Sequence, residues 1–452
     1  APPAVAYARD GAGHRGKFHP SHPPTPAPSA RAALFARISP AGHRGVTLRW
    51  GAAPTVGTVR IALVAEQFLP HVNGVTHSVL RVLEHLRDRG HEAMVIAPSY
   101  EKTLFLGSVD HVDGVRIERI PSLPLAGYPE VRVASCSVAR MQRILNRFAP
   151  DVVHVASPFI LGWQAIQAAN GLGLPCVAVY QTDVPGYAAR YGAPVLEKAM
   201  WSHVRTMHNT ATLTLAPSTA SIAALHENGV QRVHMWRRGV DTARFRPELR
   251  DHAWRERVGG GRRLVGYVGR LAPEKQVSDL VVLDSLPDTR VVVIGSGPEK
   301  ESLRTLLPNA HFEGFLAGTE LATAMASLDV FVHPGEHETF CQTIQEAMAS
   351  GVPVVAVGRG GPLDLVDSSR TGWLYRPGDT EQLRERVRDL VGDDAKRLAF
   401  ARTAHRTVQP RTWAGVCDQL VEHYERARTV NARRLRARAG SRLERTGPAG
   451  LQ

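Results

Sequence analysis

The sequence predicts an α/β protein made of two doubly wound parallel-sheet units that face one another across a cleft. Three observations carry this. Short β-branched runs alternate with amphipathic helical periods through most of the chain. The alternation breaks once, around WRRGVDTARFRPE, and then restarts. Polar residues and glycines gather just after the carboxyl ends of the apolar runs, where open α/β sheets bind ligands. A length of 452 residues leaves room for two or three domains.

The first unit is expected over residues 58–240. TVRIALVAE reads as its first strand. In VTHSVLRVLEHLRDRG, Val75, Val79, Val82, Leu83 and Leu86 fall at helical spacing and Gly90 supplies the stop. EAMVIAP, VRIERIP, DVVHVAS, PCVAVYQ and LTLAP are the later strands, with helical stretches between most of them. The second unit, 246–407, repeats the pattern with RLVGYVGR, TRVVVIGSG, HFEGF, DVFVHP and VPVVAV. A final helix within 408–430 carries Val416, Leu420 and Tyr424 on one face and is expected to cross back to the first unit. Two such units, joined by the WRRGVDTARF linker and this helix, would open and close around a ligand.

The formal charge of +13 suggests a nucleic-acid partner, but its distribution argues otherwise. Residues 1–57 hold seven Lys/Arg against one Asp, and residues 431–452 hold six Arg against one Glu. The body between them keeps 42 basic and 40 acidic residues, so it is nearly neutral. Residues 1–57 are rich in Pro, Gly, Ala and His and read as a disordered extension without the apolar core of a signal peptide; an over-long translation start is the other reading. The segment 431–452 reads either as a basic tail that binds phosphate groups of lipid or RNA, or as a solvated helix extension. No run approaches the ~18 apolar residues needed to span a bilayer. Cys136, Cys176, Cys341 and Cys417 are far apart with no CxxC pair, which speaks against a zinc site or disulfide framework and fits a reducing cytoplasm.

Five segments have the residue types for chemistry. In GEHETFCQTIQEAMASG, Glu338 precedes a helix and Glu346 lies about two turns along it. Unpaired amides at that helix start suit a phosphate, and carboxylates suit sugar hydroxyls; first-turn capping with a solvated Glu346 is the competing reading. In GYVGRLAPEKQ, Arg270 and Lys275 follow a strand and offer two fixed cations for a diphosphate, although surface Arg and Lys are common. Gly74 in FLPHVNGVTHS opens a helix, where it either admits a ligand to the backbone or makes a plain turn. Gln181, Thr182 and Asp183 emerge from an apolar strand, with turn capping as the alternative for Asp183. Arg205 and His208, three apart, would share a helix face. IGSGPEK is read as a tight turn, since it lacks the full GxGxxG of a dinucleotide site, and this disfavours an oxidoreductase. The absence of DxD, HExxH or grouped His/Asp ligands predicts no metal.

Together these segments resemble the retaining glycosyltransferases of family four, which have the two-domain GT-B fold. The resemblance runs from about residue 59 to 427. Its most specific element is Glu-x7-Glu, here Glu338 and Glu346 within TFCQTIQEAMASGVPVVA; GRLAPEK matches a phosphate-binding turn. WRRGVD, HNTATLTLAPS and FLPHVNGVTHSVLRVLEHL look like the bacterial subgroup that uses GDP-mannose and includes α-mannosyltransferases acting on glycolipids. The resemblance implies that Glu338 contacts the donor sugar and steadies an oxocarbenium-like transition state, and that Glu346 binds the ribose. Arg270 and Lys275 would hold the diphosphate, with Gly74, Arg205 and the amides of Thr339, Phe340 and Cys341 close by. Many family members carry a His where this chain has Gln181, which cannot take up a proton at neutral pH. Gln181 is then a sugar contact without a base role, and Asp183 an acceptor-side contact.

The function expected is transfer of a hexose, foremost mannose from GDP-mannose, to an acceptor hydroxyl with retention. The partners are a nucleotide-sugar donor, an acceptor that includes lipid-linked candidates, and an anionic membrane surface; no cofactor, metal or specific nucleic acid is expected. The implied location is the cytoplasm, peripheral on the inner face of the plasma membrane. A UDP- or ADP-glucose-dependent transferase is the alternative, and a nucleic-acid or membrane-surface binder acting through the basic tails is the remote one.

Overall fold

The computed structural model describes residues 58–71, 73–100, 109–125, 128–186 and 194–445. The Pro/Gly-rich segment 1–57 lies outside the described residues.

The first sheet begins with β1 (Arg60–Ala65), β2 (Glu92–Pro98), β3 (Val109–Val112) and β4 (Val115–Ile120). A separate hairpin follows, β5 (Ser122–Leu125) with β6 (Tyr128–Ala134). The sheet resumes with β7 (Val152–Ala156), β8 (Cys176–Val179), β9 (Leu213–Ala216) and β10 (Val233–Met235). Its order is β10-β9-β8-β7-β1-β2-β4-β3. Every pairing is parallel except β3 with β4. The second sheet contains β11 (Arg263–Val268), β12 (Thr289–Ile294), β13 (His311–Gly314), β14 (Val330–His333), β15 (Val354–Val357) and β16 (Gly372–Tyr375). Its order is β13-β12-β11-β14-β15-β16, parallel throughout.

The fully apolar runs become central strands because both faces of a parallel sheet are covered by helices. Ala62 and Val64 point into one buried cluster with Met94, Ile96 and Val155, while Ile61 and Leu63 point into the other with Val95 and Val152. The alternation expected of a strand is therefore present, but with two apolar faces. The second sheet is sandwiched in the same way, with Leu264 and Phe331 on one side and Val265, Tyr267 and Val332 on the other.

Elements outside this pattern were not legible in the sequence. The edge strand β3 is VDHV and largely exposed, so no apolar run marks it. β5, β10 and β16 are short, and these three and β6 lie at edges or outside the main sheets. The last helix is one element, Trp413–Arg445, and does not stop near 430. Trp413, Val416, Cys417, Leu420, Tyr424 and Ala427 pack into the first domain's cluster with Leu63 and Val179. Tyr424 hydroxyl meets His154 Nδ1 at 2.7 Å and Trp236 Nε1 donates to Val416 O at 2.9 Å. Beyond 430 the helix still touches the first domain, since Asn431 Nδ2 donates to Gly173 O at 2.7 Å and Leu435 lies over Gly173. The basic segment 431–445 thus continues a docked helix instead of forming a separate tail. No helix among the described residues is long and apolar enough to cross a membrane.

Candidate active site

In each sheet the chain reverses its direction of growth between two central strands, β1 and β7 in the first and β11 and β14 in the second. Splayed connections there leave a crevice at the carboxyl edge. The second crevice holds the candidate site. The chain leaving β11 makes the GRLAPEK turn, in which Pro273–Lys275 is a short 3₁₀ turn, and the chain leaving β14 carries Glu338. Lys275 Nζ lies 2.5 Å from Glu338 Oε1, and His333 Nε2 lies 3.2 Å from the same oxygen. Burial alone would raise the Glu338 carboxyl; the Lys275 ammonium and the His333 imidazole outweigh it and hold the group at about 2. Burial likewise opposes the His333 imidazolium, and the Cys341 sulfur and Glu338 outweigh it, raising that group to about 9. His333 stacks between Tyr267 and Phe331, which fixes the plane of its ring.

The glycines of IGSG explain the shape of the turn. A Cβ at Gly295 would sit 1.9 Å from Gly269 O and one at Gly297 2.1 Å from Leu271 O. Leu271 N donates to Ser296 O at 2.9 Å. These glycines let two backbones touch and so support the Arg270–Lys275 turn. Arg270 itself is half exposed and pairs with the buried Glu274 carboxylate of its own turn.

Cys341 caps the Gln342–Ala349 helix with φ of 75°, a left-handed conformation uncommon for a side chain this size. It turns the Thr339–Cys341 backbone sharply into the helix start, where amides lack intrahelical partners. Four residues into this helix, Glu346 is pushed up to about 8 by desolvation, with Arg244 opposing and Asp241 reinforcing the shift. His333, Glu338 and Cys341 form the one group among the described residues whose ligand atoms, all within 4.8 Å, have metal-binding spacing. The Lys275 ammonium against Glu338 already supplies a positive charge there.

The first domain brings some of the expected residues to this site and withholds one. Gln181 is buried, its backbone oxygen accepts from Thr339 Oγ1 at 3.1 Å, and its side-chain Oε1 has no hydrogen-bond partner. Asp183 Oδ1 accepts from Tyr180 hydroxyl at 2.9 Å and from Gly186 N at 3.1 Å, the arrangement of a turn cap. Gly74 opens the Gly74–Asp88 helix, which Asn73 caps, and the space beside its Cα is open. Arg205 is a correction. Its Cδ lies 3.2 Å from where a Gly229 Cβ would be, and Gly229 precedes β10, at the amino ends of the strands, whereas Gln181 follows the carboxyl end of β8. The Pro194–Thr210 helix buries His208 against Thr214 while exposing Arg205, so the two do not share a face.

Sequence reasoning missed the positive charge that does reach the junction. Arg238 is buried over Trp236 and donates to Ser78; Arg81 pairs with Asp241 at 2.5 Å and Arg244 lies 3.6 Å from the same carboxylate. Gln342 and Gln345 donate to Gly239 O and Arg238 O. These arginines sit in the irregular linker and on a helix face that also reads as solvated, so only the tertiary fold marks them. His333 was visible as a polar residue ending an apolar strand. The first sheet's own crevice is filled: the Glu66 carboxylate accepts from Phe159 N, Leu161 N and Gly162 N, and burial raises it to about 7. The Glu66 carboxyl thus takes up the three amides at the start of the helix that follows β7.

The architecture matches known proteins. The family described as Glycosyltransferase Family 4 matches residues 72–244, and glycosyl transferases group 1 matches 250–407. A GDP-mannose-dependent alpha-mannosyltransferase of Mycobacterium tuberculosis is 49% identical over 374 residues, 82% of this chain and 97% of that one. The chain belongs to glycosyltransferase family 4. A GDP-mannose-dependent alpha-mannosyltransferase of Mycolicibacterium smegmatis is also 49% identical, over 84% of this chain and all of the relative. The sulfoquinovosyl transferase SQD2 of Arabidopsis thaliana is 35% identical, over 80% of this chain and 72% of the relative. Among solved structures, Anabaena Alr3699/HepE in complex with UDP superposes with a TM-score of 0.67 at 21% identity, covering 81% of this chain and 99% of that one. At that identity the likeness concerns the fold, which is GT-B: two parallel-sheet α/β domains.

Proposed function

We propose that this glycosyltransferase transfers mannose from GDP-mannose to an acceptor hydroxyl with retention at the anomeric carbon. The observation that carries the reading is the Glu338 carboxylate, held ionised by Lys275 and His333 in the second sheet's crevice. The identity to two curated GDP-mannose-dependent relatives supports the donor. When the glycosidic bond breaks, negative charge grows on the diphosphate and positive charge on the sugar. Lys275, Arg270 and the amides from Thr339 to Cys341 address the first, and Glu338 the second. The acceptor hydroxyl forms the new bond to the anomeric carbon, and its proton passes to the departing phosphate oxygen on the same face. That route balances without a protein base, consistent with Gln181 where a base would stand.

Gln181, through its unpartnered Oε1, is assigned to a donor-sugar hydroxyl, and Glu346 to the ribose. Gly74 faces the diphosphate from the first domain. Asp183 is assigned to the acceptor side, as a group that shapes the loop carrying it. The acceptor is a lipid-linked hydroxyl, and the exposed Arg433 and Arg436 on the terminal helix hold the enzyme at an anionic membrane surface, at about 1 kcal/mol per basic residue. Calorimetric titration with GDP, UDP and ADP, followed by mass spectrometry of products from each sugar nucleotide with lipid and disaccharide acceptors, tests this. GDP binding with mannosyl transfer is expected; preference for UDP or ADP overturns the donor. Co-sedimentation with anionic vesicles that survives removal of 431–452 overturns the membrane role.

A further inference from the structure

Contacts that the transfer scheme does not use join the two domains. Asp364, in the short helix after β15, belongs to the second domain. Its Oδ2 accepts from Thr219 N at 2.7 Å, and its Oδ1 accepts from the Thr219 hydroxyl. Thr219 begins the Thr219–Glu227 helix of the first domain, where Ser218 caps Ser221 N at 3.1 Å. Ser218 serves one first-turn amide that lacks an intrahelical partner and the carboxylate from across the junction serves another, with the favourable sign for a helix start. Beside it, Ser221 Oγ donates to Thr339 O at 3.3 Å, and Thr339 Oγ1 donates to Gln181 O.

The turn that carries Asp364 is attached to the Glu338 loop. Gly361 N donates to Glu338 O at 2.7 Å. A Cβ at Gly360 would lie 2.5 Å from Glu338 O, and one at Gly361 would lie 2.3 Å from Phe340 O. Only glycines allow these two backbones to lie in contact, and Gly360 also has φ of 67°. A pull on Asp364 is therefore felt at the backbone of Glu338.

We propose that Asp364 is a positioning residue, which grips the Thr219 amide of the first domain and thereby sets both domain closure and the placement of Glu338. This rests on the reading of Glu338 as the donor-sugar contact. The geometry assigns it a task distinct from binding: its carboxylate touches the opposite domain. Gln181 enters the donor site by the same closure, through the Thr339 bridge.

The full chain is tested as Asp364→Ala, Asp364→Asn, Thr219→Ala and the double variant Thr219→Ala/Asp364→Ala. Dyes on p-azidophenylalanine at exposed positions 143 and 388, one in each domain, report separation by single-molecule energy transfer with and without GDP. Asp364→Ala should lengthen the separation in the presence of GDP and lower kcat by about tenfold or more, with GDP affinity within about threefold of the parent. Asp364→Asn keeps the shape, guards against misfolding and should fall between. Thr219→Ala should add little in the Asp364→Ala background, because the partner is already gone. An Asp364→Ala enzyme with parental separation and kcat, or fully additive losses in the double variant, overturns the proposal. If the parent neither binds GDP nor transfers mannose, the functional reading fails, while the separation still decides the grip.

Discussion

Lys275→Ala removes the ammonium that lies 2.5 Å from Glu338 Oε1. The side chains are only 20% and 14% exposed, so water screens the pair weakly. Holding Glu338 at about 2 instead of the ordinary 4.5 is worth about 3 kcal/mol, and Lys275 is the largest favourable contributor. A carboxyl lowered in this way stabilises the fold fully above pH 4.5 and loses that contribution as pH falls toward 2. In the variant the folded-state carboxyl moves back toward its ordinary value, so this loss should shrink, visible as a flatter fall of Tm between pH 4.5 and 2. During transfer the same ammonium faces the charge growing on the diphosphate, a role worth about 2.7–4 kcal/mol, or ~10²–10³ in turnover. Initial rates of GDP release at saturating donor, with circular dichroism to show an intact fold, measure it. Turnover within about twofold of the parent would refute both the electrostatic argument and the place of Lys275 in the site.

Glu338→Gln keeps the shape of the side chain but not its charge; mannosyl transfer should fall by ~10² or more while GDP affinity, measured by calorimetry, stays within about threefold. Arg205→Ala should leave donor KM and kcat within about twofold, because Arg205 lies at Gly229 at the amino ends of the strands, away from the carboxyl edge; a large loss would restore it to the site. Glu346 is raised to about 8, so the native state holds a proton that the unfolded chain releases near 4.5, and the fold loses stability as pH rises between these values. Glu346→Gln should flatten that decline in Tm, with the gain over the parent growing toward pH 8; an unchanged profile would show that burial does not perturb the group.

Much of the site was legible because its residues lie in short continuous runs. The Glu338-x7-Glu346 spacing and the GRLAPEK turn are local features, and strands such as RIALVA and VVVI declare themselves through burial on both faces. Arg205 misled because its place at three residues from His208 says nothing about which of the two the helix buries. His333 was readable only as part of a strand, since its stacking on Tyr267 and its contact with Glu338 depend on where β11 and β14 meet.

Sequence alone determined the class of fold and marked the carboxyl edges of the strands, while the resemblance to the family singled out Glu338, Glu346, Arg270 and Lys275 as candidates. The fold class follows from periodicity and composition within windows of a few turns. Tertiary structure alone decided which charges meet. Lys275 and Glu338 are 63 residues apart, Arg81 and Asp241 160 apart, and Asp364 and Thr219 145 apart. No local rule links such pairs, because their distance is set by sheet order and domain closure. Burial then adjusts the charge each one carries.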